Sequence, residues 1–561
     1  MLDVLIRGAK VVDGSGSPGY LADVGIAGGR IAEIGKITDS AKRTIDAGGL
    51  VAAPGFIDIH THFDPQITWD PYGTSSIYHG ITSVLAGNCG LSVAPCRPGR
   101  PEDAVKLFAR VEAMDPKVLE NGVPWAWETT GQYLDYLSKK GLGINFGCSV
   151  GFSALRQYVM GEDSVERPAT EDELAQMKAI LHDAIRDGAL GLTTSLNPRH
   201  SRLDGKPTPG RIAPPEEFWA LAEVLKELNR GLVQYAGGTR GKEATLALSD
   251  KAIELGRPVL GITIRHFWSR PTQWRDQLQW VESGLKKGAR CWAATNVRTF
   301  IQRFSLMDAQ EFDEMPTWRG LMFLPKEERM KAFKDPDTRK QLRYEAVEDP
   351  TPLSFSKRWD LVHVLEAKRP EHKDYEGKTI AELAQLRGQD VIDAFLDMSL
   401  DEDLEMRFWT ANSQGDPDAV AEMIASPAVA MGQSDAGAHT SIDAGYGYAS
   451  LLLGYWVREK HAMSLETAVR KLSFDQAARF ELPGRGLLKP GMAADVAVFD
   501  ADTIAPLDPR LVQDFPAGGK RLIQEAVGVP YVLVNGQVTV DEGNLTDALG
   551  GQVLRSAPLA V

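Results

Sequence analysis

Two histidines separated by one residue, His60 and His62, are the side chains in this 561-residue chain best suited to bind a metal ion. The chain has only ten histidines, so roughly 0.2 such pairs are expected from composition alone. Side chains alternate along a strand, so both imidazoles would leave one face and reach one ion. The pair ends an apolar run that begins at Phe56. This pattern favours a metal site that activates water for hydrolysis over the alternative, two surface histidines.

Two further side chains follow predicted strands and could complete such a site. Asp435, in Ser-Asp-Ala-Gly, could hold a metal and accept a proton from water. An Asp before Ala-Gly is equally typical of a turn or a helix cap. Cys89, in Gly-Asn-Cys-Gly, could coordinate zinc or a similar ion as a thiolate, or be a small buried residue in a tight turn. Cys96, Cys148 and Cys291 lack such surroundings and are interpreted as packing residues.

Hydrophobic patterns predict the elements that position these residues. Thr170 and Glu173 form a capping box that starts a helix, and Gly188 ends it. Eight apolar strand-like segments alternate with helical stretches, which suggests a (β/α)8 barrel with its catalytic groups at the C-terminal strand ends. The eight segments are 56–60, 81–86, 144–150, 190–195, 232–236, 258–264, 291–297 and 428–434.

Both ends of the chain are predicted to be β-structured. Residues 1–54 and 486–561 contain short alternating strands joined by turn residues, so the two ends are expected to meet in one small β domain. Residues 55–485 form the predicted barrel, interrupted by a charged, partly helical insertion at about 298–427. Such an insertion after a barrel strand is either a lid over the active-site face or a peripheral docking element.

Composition and charge exclude several classes of protein. The net charge of −14 disfavours binding to nucleic acid. No apolar run is long enough to span a membrane, and the N-terminus lacks the pattern of a signal peptide. Four scattered cysteines do not form a disulfide framework, so we expect a cytoplasmic protein. The sequence does not fix the oligomeric state, and a homo-oligomer stays open.

Several motifs resemble known sequences. Residues 54–62, Pro-Gly-Phe-Ile-Asp-Ile-His-Thr-His, resemble the opening metal motif of the amidohydrolase superfamily. Residues 80–82 with 87–90, and residues 188–194, resemble its D-aminoacylase (N-acyl-D-amino-acid deacylase) branch. Residues 484–495 resemble the superfamily's return into its small β domain. The resemblance covers nearly the whole chain apart from much of 298–427.

The resemblance implies a TIM-like (β/α)8 barrel with a small β-sandwich built from both chain ends. It implies metal ligands at His60, His62 and Asp435, with Cys89 at a second metal position. Asp435 would also shuttle protons while metal-activated water attacks the carbonyl of a small-molecule amide, an N-acyl-D-amino acid among them.

The chain departs from the branch at the second metal position. Gly238 stands where the branch has a His after the fifth strand. His266 supplies the sixth-strand ligand only if Ile264-Arg265-His266 fills that place; otherwise it is a rim histidine that binds nothing or touches substrate. We therefore expect one divalent ion, zinc or a similar metal, rather than two.

The substrate-gripping Arg of the branch is also missing. No Arg or Lys occurs between Asp435 and Trp456, where the segment holds His439 and Tyr446 instead. A buried carboxylate needs a cationic or multidentate partner, which Arg240 could supply unless it forms a structural ion pair. Arg240, His439 and Tyr446 are therefore the candidate substrate-binding residues, and a more apolar or aromatic amide is an alternative substrate.

Two other functions stay open from the sequence. The same barrel and metal could serve a lyase or decarboxylase acting on a carbonyl compound. A non-catalytic scaffold with an incomplete metal site is the third alternative, and the joint presence of His60, His62 and Asp435 argues against it.

Overall fold

The structure is a computed structural model that describes residues 1–237 and 242–557, and the chain divides into two compact units. The first unit comprises Met1–Ile264, Asp276–Val297 and Ala421–Val561, and the second comprises Arg265–Arg275 and Arg298–Val420. Within the described ranges, no helix is both long enough and apolar enough to cross a membrane.

The strands of the described chain are short and numerous. In chain order they are β1 (Leu2–Val11), β2 (Tyr20–Ala27), β3 (Arg30–Gly35), β4 (Ala41–Asp46), β5 (Val51–Pro54), β6 (Phe56–Asp58), β7 (Ile81–Ala86), β8 (Asn145–Cys148), β9 (Val150–Gly151), β10 (Gly191–Ser195), β11 (Leu232–Ala236), β12 (Val259–Ile262), β13 (Cys291–Ala294), β14 (Phe300–Phe304), β15 (Val362–Glu366), β16 (Arg407–Ser413), β17 (Val429–Ala430), β18 (Val496–Phe499), β19 (Ala505–Pro506), β20 (Arg510–Phe515), β21 (Gly519–Ile523), β22 (Ala526–Val527), β23 (Tyr531–Val534), β24 (Gln537–Asp541), β25 (Asn544–Leu545) and β26 (Val553–Leu554).

The α-helices lie mostly between these strands. They are α1 (Phe63–Gln66), α2 (Glu102–Val111), α3 (Pro116–Gly122), α4 (Thr130–Lys140), α5 (Phe152–Met160), α6 (Glu171–Arg186), α7 (Pro209–Ile212), α8 (Pro215–Leu228), α9 (Lys242–Leu255), α10 (Gln273–Lys286), α11 (Pro316–Met322), α12 (Lys326–Lys334), α13 (Pro336–Arg343), α14 (Ile380–Arg387), α15 (Val391–Asp401), α16 (Pro417–Ala425), α17 (Tyr448–Leu451), α18 (Leu465–Leu472) and α19 (Phe474–Arg479).

One nine-stranded sheet of the first unit takes strands from both ends of the chain. Its order is β25-β24-β23-β18-β5-β1-β2-β3, with β4 beside β1. The junction is the antiparallel pair of β5 and β18, in which Pro54 lies opposite Val496. Alternating apolar side chains of these strands pack into one buried cluster that includes Ile6, Val24 and Val496.

Two parallel sheets hold most of the remaining strands of the first unit, and β19-β22 and β20-β21 form two short two-stranded sheets. One has the order β26-β8-β7-β6, and the other has the order β17-β13-β12-β11-β10-β9. Only Ser149 separates β8 from β9, so the two sheets are continuous there. At the opposite ends, a parallel bridge joins His60, just after β6, to Gln433, just after β17. Residues of these strands are buried almost throughout, as expected of parallel strands covered by helices.

The predicted helix start at Thr170 is confirmed. The Glu173 amide donates to Thr170 Oγ1 over 3.2 Å, and the Thr170 amide donates to Glu173 Oε2 over 2.8 Å. The predicted strand at 428–434 is too long, because only Val429–Ala430 pairs in the ladder. From Gly432, which has a φ of +99°, the backbone turns so that its carbonyl accepts from the Ile59 and His60 amides over 2.9 and 3.0 Å.

The second unit has its own core. The sequence predicts only that the segment 298–427 is partly helical, and the antiparallel sheet of order β14-β16-β15 in this segment was missed. Aromatic rings dominate the buried cluster: Phe312 packs against Trp318 with ring centroids 4.6 Å apart, and Trp359 packs against Phe395 at 5.0 Å. This core explains why a segment rich in charged residues folds compactly.

A buried polar junction ties the nine-stranded sheet to β8. Asp495, 6% exposed, forms an ion pair with Arg485, 9% exposed. The Asp495 carboxylate also accepts from Asn145 Nδ2 over 3.1 Å and from the Asn535 amide over 2.8 Å. Because Asn145 opens β8, this one carboxylate joins the sheet of the chain ends to the parallel strands.

We expect Asp495→Ala to destabilise the protein by about 3–5 kcal/mol, because it leaves the buried Arg485 guanidinium without its counter-charge. Urea unfolding followed by circular dichroism measures the change. The same substitution at exposed Asp502 is the control and should stay within about 0.5 kcal/mol of wild type. Equal midpoints for the two variants would show that the junction contributes nothing.

Candidate metal site

The ends of three parallel strands bring four of the predicted site residues together. His60 and His62 follow β6, Cys89 follows β7, and Asp435 follows β17. Asp435 Oδ1 lies 3.2 Å from His60 Nε2 and 3.9 Å from His62 Nε2. Cys89 Sγ lies 3.6 Å from His60 Nε2. Among the described residues, ligand atoms of His60, His62 and Cys89 all lie within 4.8 Å of one another.

The backbone around these residues adopts conformations that side chains other than glycine seldom take. Cys89 has a φ of 54° and Asp435 a φ of 57°. Asp435 is also a turn residue, since its carbonyl accepts from the Ala438 amide over 2.9 Å. The next glycine, Gly437, is required by close approach: a Cβ there would lie 2.7 Å from the carbonyl carbon of His62. Asp435 therefore lies in a turn, as one interpretation of the sequence predicts, and also lies close to both histidines.

Burial sets the protonation of the groups in this cluster. Burial, with neighbouring His60 adding to it, lowers the pKa of His62 well below its ordinary value. Burial raises the pKa of Asp58 to about 8 and that of Asp64 to about 7. Burial also raises the pKa of Glu112 well above its ordinary value, and the Asp435 and Asp64 carboxylates add to this. The site thus combines a neutral imidazole with buried acids whose charged forms are disfavoured.

These donors fit a divalent metal ion. A tetrahedral ion about 2.0–2.3 Å from nitrogen, oxygen and sulfur ligands holds the ligand atoms roughly 3.3–3.8 Å apart. The separations from His60 Nε2 to Asp435 Oδ1 and to Cys89 Sγ are 3.2 and 3.6 Å, and that from His62 Nε2 to Asp435 Oδ1 is 3.9 Å. These three values bracket that range. Neutral imidazole is the form that ligates metals, and a nearby cation would favour the charged form of the buried carboxylates.

Sequence reasoning missed Glu112 and His200. Glu112 follows α2 and is 2% exposed, and its Oε1 lies 3.3 Å from His62 Nδ1. His200 lies in the loop after β10, where burial and neighbouring Arg199 lower its pKa to about 3. His200 also interacts electrostatically with His62 and Asp435. The scarcity of histidine could have singled out His200, whereas no sequence pattern marks Glu112 among the charged residues around it.

Of the three predicted substrate-binding residues, the structure describes His439 and Tyr446. The His439 amide donates to the Glu112 carbonyl over 2.6 Å, and His439 Nε2 lies 3.9 Å from Glu112 Oε2. Tyr446 is buried with its ring stacked on Phe63, the two centroids 6.5 Å apart. Arg240, like Gly238, lies outside the described residues.

His266 belongs to the second unit and is not a member of the ligand group found in the described part of the chain. Its amide donates to Gln414 Oε1 over 2.9 Å. Its ring stands edge-on to Trp268, with centroids 4.9 Å apart. The second unit thus holds His266 through contacts of its own.

Comparisons with known proteins support the resemblance of the sequence motifs to the amidohydrolase superfamily. The family model described as "Amidohydrolase family" matches residues 43–540. The chain is 28% identical over 557 residues to a D-aminoacylase of Alcaligenes xylosoxydans xylosoxydans, covering 98% of this chain and 97% of that protein. It is also 28% identical over 572 residues to an N-acyl-D-glutamate deacylase of the same organism, covering 100% and 98%.

Two solved structures of such deacylases have similar folds. A D-aminoacylase structure concerned with its binuclear metal centre matches with a TM-score of 0.69 and 25% identity, covering 99% of this chain and 100% of that one. The N-acyl-D-glutamate deacylase from Bordetella bronchiseptica, complexed with zinc and a phosphonate inhibitor, matches with a TM-score of 0.68 and 25% identity, covering 99% of both chains. The chain therefore belongs to the amidohydrolase family, in its D-aminoacylase-like branch.

Proposed function

We propose that this amidohydrolase is a metal-dependent deacylase that hydrolyses the amide bond of an N-acylated small molecule, with N-acyl-D-amino acids as the first candidates. The convergence of His60, His62 and Asp435 at the ends of β6 and β17 carries the proposal. The names of the full-length relatives, a D-aminoacylase and an N-acyl-D-glutamate deacylase, support the choice of substrate class.

The architecture that goes with this function is a (β/α)8 barrel with a small β-sandwich domain from both chain ends. The pairing of β6 through β13 and β17, together with the bridge between His60 and Gln433, supports a closed ring of parallel strands. The pairing of β5 with β18 supports a domain built from residues 1–54 and 486–561. The segment 298–427 is then the insertion within residues 55–485.

We assign one divalent ion, zinc or a similar metal, to His60, His62 and Asp435, with Cys89 as an added ligand. The missing branch histidine at Gly238 supports a single ion. The related D-aminoacylase structure concerns one-metal activation and second-metal attenuation in that protein, so one ion is compatible with this chemistry. When bound, a divalent ion supplies Lewis acidity that activates water and polarises an amide carbonyl.

The protein's own groups would handle the protons. Asp435 Oδ1, placed between the two imidazoles, would accept the proton of the attacking water and return it to the leaving amine. Glu112 Oε1 lies 3.3 Å from His62 Nδ1, which makes no hydrogen bond among the described residues, and it would accept from that nitrogen when Nε2 ligates. Glu112 is thus a positioning residue that acts through His62.

We expect Asp435→Asn to lower kcat for an N-acyl-D-amino acid by at least about 100-fold, because the amide cannot accept the proton. Release of the free amine measures the rate, and circular dichroism checks the fold. Asp39→Asn, at an exposed position, is the control. A kcat within threefold of wild type in Asp435→Asn would remove Asp435 from the role of base.

Metal content tests the ligand set. We expect about one ion per chain in wild type grown with zinc, and close to none in the double variant His60→Ala/His62→Ala, by inductively coupled plasma mass spectrometry. His182→Ala, at a partly exposed helix position, is the matched control and should keep the wild-type content. Full occupancy in the double variant would refute this assignment, and two ions per wild-type chain would refute the single-ion site.

Glu112→Gln should weaken zinc binding about 10–100-fold, because the carboxylate that orients His62 is lost while the shape is kept. Competition with a chromogenic chelator measures the dissociation constant. Glu120→Gln, exposed on α3, is the control. An unchanged constant in Glu112→Gln would show that His62 is oriented by other groups.

A further inference from the structure

A cavity of about 300 Å³ lies next to the candidate metal site, within the first unit. It is lined by residues from α1 and the turn after it, from the segment 113–118, from the segment after His439, and from the β20–β21 hairpin. Its volume is at the lower end of the range for small-molecule sites.

The cavity wall is continuous along the chain with the residues of the metal site. Gln66, at the end of α1, comes four residues after His62. Ala113 follows Glu112, whose Oε1 lies 3.3 Å from His62 Nδ1. Thr440 follows His439, whose amide donates to the Glu112 carbonyl over 2.6 Å. The cavity wall thus includes the direct chain neighbours of Glu112 and His439, two residues that lie around His62.

The hairpin wall of the cavity is held firmly against the other segments. The Leu522 amide donates to the Thr440 carbonyl over 2.6 Å, and the Gln524 amide donates to Ser75 Oγ over 2.9 Å. Arg521 donates to Thr74 O over 2.8 Å and forms an ion pair with Asp514 at 2.9 Å. A wall fixed in this way is preformed, which lowers the entropic cost of binding.

The lining mixes aromatic and aliphatic side chains with polar and charged ones. Trp69 and Phe515 meet edge to face with ring centroids 5.4 Å apart, and Met114 and Val118 are buried beside them on the cavity wall. Trp69 Nε1 and Gln66 Oε1 are buried without a hydrogen-bond partner among the described residues. Both atoms lie behind the cavity wall, so the aromatic and aliphatic side chains are the part of the lining that suits an apolar ligand group.

The two charged residues that line the cavity favour an uncharged group on the ligand. Lys520 and Asp115 both line it and are exposed, and their opposite charges offset one another. Asp115 Oδ1 is already engaged by the Lys117 amide over 2.9 Å.

We propose that this cavity is a substrate subsite that binds an aromatic or large aliphatic group of the N-acylated substrate, with the β20–β21 hairpin as its specificity-determining wall. The inference rests on the proposed deacylase function. The apolar group could belong to the acyl half or to the amino-acid half of the substrate, and the two sources are separable by assay.

The experiment compares kcat/KM for N-acetyl-D-alanine, N-acetyl-D-phenylalanine and N-benzoyl-D-alanine in the zinc-loaded full-length enzyme. Ser441, a partly buried residue of the lining, is replaced to fill the cavity stepwise. We expect Ser441→Leu and then Ser441→Phe to lower the bulky-to-small ratio of kcat/KM progressively, by tenfold or more for Phe, for whichever bulky substrate occupies the cavity. Ser40→Phe, the same change at an exposed position, is the control and should keep the wild-type ratio.

The outcomes separate the two proposals. A selective fall for N-acetyl-D-phenylalanine assigns the cavity to the amino-acid side chain, and a fall for N-benzoyl-D-alanine assigns it to the acyl group. Hydrolysis of all three substrates with an unchanged ratio in folded Ser441→Leu or Ser441→Phe overturns the subsite alone. A zinc-loaded wild type that hydrolyses none of them overturns the deacylase function and the subsite together.

Discussion

The amides of Ile59 and His60 both donate to the carbonyl of Gly432, and these two hydrogen bonds hold the segment after β6 to the segment after β17. Ile59 and Gly432, about 370 positions apart in sequence, thereby lie side by side, as neighbouring strands do in closed barrels of parallel strands. The left-handed turn at Asp435 and the close approach of Gly437 to His62 then aim one carboxylate oxygen between two imidazoles. The placement of the site follows from this contact.

Electrostatics gives the second constraint. Asp58, Asp64 and Glu112 are buried close to His60 and His62, and burial opposes their ionisation. A protein that places several acids in a low-dielectric site without a nearby cation loses stability unless a ligand compensates. Metal binding would provide that compensation, so we expect metal loading and stability to be linked in this protein.

The sequence predicts the part of the site that local patterns encode. His60 and His62 are readable because strand alternation fixes the face of both rings, and Asp435 because it follows the last apolar run. Glu112 and His200 are not readable in this way, because their proximity to His62 is created by the packing of segments distant in sequence. The sheet of β14, β15 and β16 was missed for a similar reason: its strands pair across long helical connections. Trp69 and Phe515, which meet in the cavity, are likewise joined only by tertiary structure.

X-ray absorption spectroscopy of the zinc-loaded protein measures the coordination itself. We expect each zinc ion to have two imidazole nitrogens, carboxylate oxygen and at most one sulfur directly bound to it, with no second metal ion nearby. A spectrum without imidazole scattering, or one with a metal–metal distance, would contradict a single ion held by His60, His62 and Asp435.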